Sequence, residues 1–245
     1  MRSLLCIVTL VIQRTTSATS TINILSFAPS SPNFHQMNFQ ADPVMGGKST
    51  GSFKTESNIG IFSGTVRDVP SLSAPGFIKI QTSNADYPNI STCSHILIEA
   101  MSNNADYQGW RIGLGNSKAP QSRRFATGHK ADFSAPSDKY QNISVAFDSF
   151  TNYWDPATGD AIVTCKENVK YCLTISILEN VQTISIWAEG VNGDVTLNIR
   201  GIYATGCNGV IDGSLSNIGI VGKDVSKTTY LIIAMMVIIG GFAYL

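Results

Sequence analysis

The sequence predicts an all-β fold, a sandwich or jelly roll, and three observations lead there. Apolar residues return at every second position along many short runs in the body of the chain. Turn-forming residues separate those runs: Gly46-Gly47, Gly113 to Gly115, Asp155-Pro156, Thr158-Gly159-Asp160 and Asn192-Gly193-Asp194. Outside the two ends, no apolar series at 3.6-residue spacing lasts beyond about two helical turns.

Taken in order, the first strands are expected at Gly51–Thr55, Ile59–Val66 and Phe77–Gln81. Ser94–Ala100 follows, with Ile96 and Ile98 on one face. Asn142–Phe147 and Ala161–Cys165 alternate in the same way, as do Leu173–Ile177, Thr183–Ala188 and Val195–Ile199. Asn192-Gly193 sits between the last two runs and predicts a hairpin with a type I′ turn. About nine strands with a turn every 8–12 residues suit a two-sheet sandwich. Trp187 lies in an alternating run and is expected in the core.

The 245 residues accommodate one such domain plus terminal segments. Residues 1–18 combine Arg2, the apolar run Leu4–Ile12 and a small-residue site at Thr16-Ser17-Ala18, the pattern of a secretory signal peptide. Arg14 and the absence of acids before Asp42 leave a mitochondrial presequence as the alternative. Residues 19–36 read as a lead-in, 37–205 as the β-sandwich domain and 206–229 as a spacer. Tyr230–Leu245 carries no charge. Its sixteen residues would span about 24 Å as a helix, less than a ~30 Å hydrocarbon core. With small residues around Asp212 to Gly219 upstream, it reads as a lipid-anchor signal or a tail-anchoring helix.

Four cysteines remain beyond Cys6, and an even count in an extracellular setting predicts two disulfides. Cys165–Cys172 across a short loop and Cys93–Cys207 are the favoured pairs. Asn89-Ile90-Ser91 and Asn142-Ile143-Ser144 are glycosylation sequons. Charge is balanced, 17 basic against 17 acidic residues, with no basic stripe, so a nucleic-acid partner is not expected.

The run Asp42-Pro43-Val44-Met45-Gly46-Gly47-Lys48-Ser49-Thr50-Gly51 resembles the opening signature of the complex I intermediate-associated protein 30 family. Ile61-Phe62-Ser63-Gly64, Gly76-Phe77, Tyr140–Phe150 and Leu197–Ile202 are similar to later segments of that family, in the same order. Phe39 stands where the family usually has Trp. The resemblance implies a galactose-binding-like jelly roll and a non-catalytic role as an assembly factor with protein partners. Read without the family, the motif is a strand-connecting loop shaped by Gly46-Gly47, or else a rim loop that touches a partner.

Enzyme constellations are absent from the sequence pattern. His35, His95 and His129 stand in unrelated contexts, and no nucleophile elbow, zinc-protease or phosphate-loop motif occurs. No cofactor and no metal site is expected. Contact with a protein partner or a glycan is expected from Asp42, Met45, Tyr107, Trp110, Arg111, Trp154 and Asp155, since aromatics stack on sugars and anchor interfaces. Core packing is the competing role for Trp110 and Trp154. Membrane association through the C-terminal segment completes the expectation, with a cell-surface carbohydrate-binding module as the alternative to the assembly factor.

Overall fold

The computed structural model describes residues 20–42, 46–83, 85–115 and 128–208. The expected leader, Met45 and the C-terminal hydrophobic segment lie outside these residues. The strands in chain order are β1 (Ser20–Ser26), β2 (Met37–Ala41), β3 (Thr50–Glu56), β4 (Ile59–Val66), β5 (Asp68–Val69), β6 (Ala74–Pro75) and β7 (Phe77–Thr82). They continue with β8 (His95–Ser102), β9 (Trp110–Gly115), β10 (His129–Asp132), β11 (Gln141–Ala146), β12 (Thr183–Glu189) and β13 (Gly193–Cys207). One short helix, α1, spans Ile175–Glu179.

The protein is all-β, and its strands form two main antiparallel sheets. The first runs β11-β8-β13-β4-β3, with β1 paired to the far half of β13. The second runs β10-β9-β12-β7-β2. Ile96, Ile98, Leu197 and Ile199 of the first sheet share one buried cluster with Ile78, Ile80, Ile112 and Ile186 of the second. Phe62 of β4 fixes the two layers together. It is fully buried, with ring centroids 6.4 Å from Phe39 of β2 and 5.9 Å from Trp110 of β9.

Strands with one buried face follow the expected alternation closely, and β4 has the expected bounds. Six strands were not expected, two of them the two-residue β5 and β6. In β1, Ile24 and Leu25 are both buried across a register irregularity, which erases the period of two. In β9 every residue from Trp110 to Leu114 is buried, so no polar face marks it. The remaining two, β2 and β10, are only five and four residues long.

β13 outlasts its expected end because a β-bulge at Arg200 shifts its phase. Ile199 pairs with Ala100 and Gly201 with Glu99, leaving Arg200 as the extra residue. The inward set therefore passes from Val195, Leu197 and Ile199 to Ile202 and Ala204. The folded unit thus takes in residues 20–36 at one end and reaches Cys207 at the other, wider than 37–205.

Three expectations are corrected. Asn192-Gly193 makes no hairpin, because β12 and β13 belong to different sheets and the chain crosses between them. The tight turn lies instead at Ser57-Asn58 (φ 50° and 63°), between the Glu56–Ile59 pair of β3 and β4. Ala161–Cys165 and Leu173–Ile177 are not strands. The Thr174 side chain caps α1 by accepting from Ile177 N at 3.3 Å, and Glu167 accepts from Thr164 N at 2.7 Å. Such local side-chain bonds compete with sheet pairing.

Candidate functional site

Two buried polar centres stand out, and both touch the five-stranded sheet. The first is built on Asp42, just past the end of β2 and fully buried. Its Oδ1 accepts from Ser49 N at 3.0 Å, and its Oδ2 accepts from Ser49 Oγ at 2.6 Å and Phe77 N at 3.0 Å. Ser49 Oγ in turn accepts from Arg67 N at 3.1 Å. A Cβ at Gly47 would lie 2.2 Å from the Asp42 carboxyl carbon, and one at Gly76 would lie 1.6 Å from Oδ2. Glycine is required at both positions by this close approach. The knot ties together β2, the loop after it, the end of β4 and the start of β7.

The second centre occupies the outer face of the five-stranded sheet. Ile184, Ile186 and Ala188 of β12 face the core, so Ser185, Trp187 and Glu189 point the other way. Register places Trp187 beside Arg111 of β9 on one side and Lys79 of β7 on the other. Lys79 Nζ lies 4.4 Å from the Trp187 ring centroid. Lys130 Nζ of β10 sits between two indoles, 4.7 Å from Trp187 and 3.7 Å from Trp154. Cation–π contact of this kind gains strength where water is excluded.

Lys130 also pairs with the Glu189 carboxylate. Arg111 uses its whole fork. Its Nε donates to Gly159 O at 3.0 Å and faces Asp132 Oδ1 at 3.0 Å. Nη1 donates to the Glu189 and Gly109 carbonyls at 2.9 and 3.2 Å, and Nη2 to Asp160 Oδ1 at 2.7 Å. Lys79, Arg111, Lys130 and Glu189 are all buried, the most exposed of them, Glu189, to only 6%. Burial holds the Lys79 ammonium down to about 8 against the attraction of Glu189, and Lys130 is lowered for the same reason.

What buries this face is a strap, residues 151–172. Thr151 exchanges two backbone hydrogen bonds with Lys130, each 2.9 Å. Gly159 lies so close to the sheet that a Cβ there would meet the Glu189 carboxyl carbon at 2.3 Å, and its φ is 77°. The Cys172 carbonyl lies 3.0 Å from His129 Nε2. Between strap and sheet lies a cavity of about 270 Å³, lined by residues that include Lys130, Asp132, Ser149 and Trp154. The Trp154 indole nitrogen is buried without a hydrogen-bond partner. On and beside the strap's outer side, Tyr153, Ile162, Val169 and Ile175 are exposed, and Tyr153 stacks on Tyr171 at 5.0 Å.

The family described as Complex I intermediate-associated protein 30 (CIA30) matches residues 25–177, more than half of the sequence. The chain belongs to that family. Membership supports a domain of assembly-factor character. No curated protein matches the sequence significantly. Among solved structures, this chain is similar to a family 11 carbohydrate-binding module from Clostridium thermocellum in complex with a β-1,3-1,4-mixed-linked tetrasaccharide. Identity is 15% over 77% of this chain and 96% of that one, with a TM-score of 0.48. A family 29 carbohydrate-binding module matches at 12% identity over 78% and 91% of the two chains, TM-score 0.39. An agarase matches at 9% identity over 89% of this chain and 31% of its own, TM-score 0.45. Likenesses at this level assign no ligand.

The fold places the expected contact residues unevenly. Asp42 is corrected from a contact to a buried fold element, since neighbouring donors occupy both its carboxylate oxygens. Trp110 is core, in ring contact with Phe62, Tyr107 and Phe133. Tyr107 is buried beside it, donating to Val191 O at 3.0 Å, and burial pushes its hydroxyl pKa up. Both side chains are buried rather than exposed for contact. Asp155 shapes the strap by accepting from Ala157 N at 2.7 Å. Arg111 and Trp154 do meet at the second centre. Cys93–Cys207 and Cys165–Cys172 are the disulfides, and Asn89 and Asn142 are exposed.

Lys79, Lys130, Trp187 and Glu189 were not expected at a site. Their signal was phase: in Ile78-Lys79-Ile80 and Ile186-Trp187-Ala188 each interrupts the inward set. Trp187 is buried as expected, but on the outer face, away from the core. Among the described residues no group of three or more His, Cys, Asp or Glu is placed to hold a metal ion. No helix among them is long and apolar enough to cross a membrane.

Proposed function

We propose that this chain is a non-catalytic binding domain of assembly-factor type, on a galactose-binding-like jelly roll, which engages a protein partner through the outer side of its strap. One observation carries the reading: among the described residues, most of the large apolar side chains left exposed belong to this region, namely Tyr153, Ile162, Val169 and Ile175. Exposed apolar groups gathered in one place mark interaction surfaces. The Cys165–Cys172 disulfide and the capped turns hold this surface in shape before binding, which lowers the ordering cost of association.

The test compares the full chain with a variant carrying Ile162→Ser, Val169→Ser and Ile175→Ser, using quantitative cross-linking in cells. Selective loss of cross-linked partners from the variant, with unchanged circular dichroism, supports the reading. An identical partner set overturns it.

The proposed compartment is the secretory pathway, with membrane attachment through residues 230–245 and glycans on Asn89 and Asn142. Disulfides persist in oxidising compartments, which supports it. Glycosidase sensitivity and surface labelling test it, and mitochondrial import of the full chain would return the alternative location.

A second reading, a carbohydrate-binding module, is favoured by the indole-lined cavity beneath the strap.

A further inference from the structure

We propose that the cavity between the strap and strand β10 binds a single neutral sugar ring, an inference that rests on the carbohydrate reading above. Size argues first. About 270 Å³ is near the lower end of pockets that enclose small ligands, roughly 300 Å³, so it suits one ring rather than a chain.

Charge argues second. Lys130 and Asp132 give the lining one positive and one negative group. Lys130 is already held by Glu189 and two indoles, and Asp132 Oδ1 by Arg111. An anion would face the Asp132 carboxylate, and a cation would compete with a satisfied lysine, so the ligand is neutral.

Hydrogen-bonding capacity argues third. The hydroxyls of Thr151 and Thr164 also line the cavity, but they are committed to the Val163 carbonyl and to Glu167. Asp132 remains as an acceptor and Ser149 as a hydroxyl of both kinds. An apolar ligand would desolvate Asp132 without returning a hydrogen bond. Sugar hydroxyls donate to the carboxylate and exchange hydrogen bonds with Ser149. The ring's C–H face suits the apolar surface of Trp154.

The experiment follows the three indole N–H resonances of the ¹⁵N-labelled full chain during titration with galactose, glucose, mannose and N-acetylglucosamine. Trp154→Phe assigns the relevant resonance, and Asp132→Asn tests the acceptor. The expected result is millimolar binding of at least one sugar, a shift confined to the Trp154 resonance, and affinity about tenfold weaker in each variant. Methyl glycosides form a second arm: if they bind as well as free sugars, a glycan terminus is the source, and if only free sugars bind, a small metabolite is. Binding that leaves the Trp154 resonance unmoved overturns this site while the carbohydrate reading stands. No binding of any probe overturns both. Because the wild-type resonance is the primary readout, a variant that misfolds does not decide the matter.

Discussion

The sandwich and the strap are held by opposite means. The sandwich is closed by a buried apolar core and by the Asp42 knot, in which one carboxylate collects neutral N–H and O–H donors. Cys93–Cys207 staples the start of β8 to the end of β13 across 114 residues. The strap has little core of its own. Charges hold it, with Arg111, Lys130 and Glu189 on the sheet side and Asp160 with the Gly159 carbonyl on its own side. Its disulfide spans only seven residues. The difference separates two tasks: the sandwich secures the fold, while the strap presents exposed apolar groups that the fold does not need.

The largest effect should come from replacing Cys93 and Cys207 by Ser. Opening a 114-residue loop costs roughly 5 kcal/mol in chain entropy, whereas the seven-residue loop of Cys165 and Cys172 costs about 2.5 kcal/mol. Urea unfolding of the two double variants measures the ratio, and equal costs would break the comparison. Next comes Asp42→Ala, expected to cost about 4 kcal/mol because Ser49 N and Phe77 N lose a buried acceptor. A loss below about 1 kcal/mol would show that the knot is dispensable.

Arg111→Ala should cost about 3–4 kcal/mol, since it leaves Glu189 under-compensated in a buried site. Its sharper signature is local: amide exchange at Gly159 and Asp160 should rise well before that of β8 and β13. Uniform exchange across both regions would merge the strap with the sandwich.

A pH effect of about 3 kcal/mol follows from Lys79, which faces Glu189, Lys130 and Trp187. With its folded value near 8 and its ordinary value 10.5, the unfolded chain binds the proton more tightly between these limits. Stability therefore rises with pH across that window, and the penalty is complete below about 8. Lys130 acts in the same sense, while Tyr87, pushed up to about 12 by burial, opposes it above pH 10. Thermal melts of wild type and Lys79→Met check this, and a rise of equal size in both would remove Lys79 as its source.

Most of the fold was legible where one strand face meets the core and the other meets water. β3, β4, β8, β11 and the first half of β13 could be read from that contrast, and β7 and β12 from alternation in residue type although both their faces are largely buried. β9 could not, because Gly113 and Gly115 within it read as turn residues. Of the expected contact residues, only Arg111 and Trp154 fell at the second centre. Tyr107 and Trp110 sit among polar neighbours in the chain yet turn inward, and sequence neighbours say little about which way a short strand faces.

The sequence by itself determined the all-β class, the family signature and the expectation of two disulfides, because period, turn residues and a small even cysteine count are local or countable properties, while it only favoured the pairing that the fold decided. The tertiary structure alone decided that the signature's aspartate is a buried knot, that β12 and β13 part into different sheets, and that Lys79, Lys130, Arg111 and Trp187 converge. Convergence depends on strand register, which brings residues far apart in the chain within a few ångströms, and no local pattern encodes that distance.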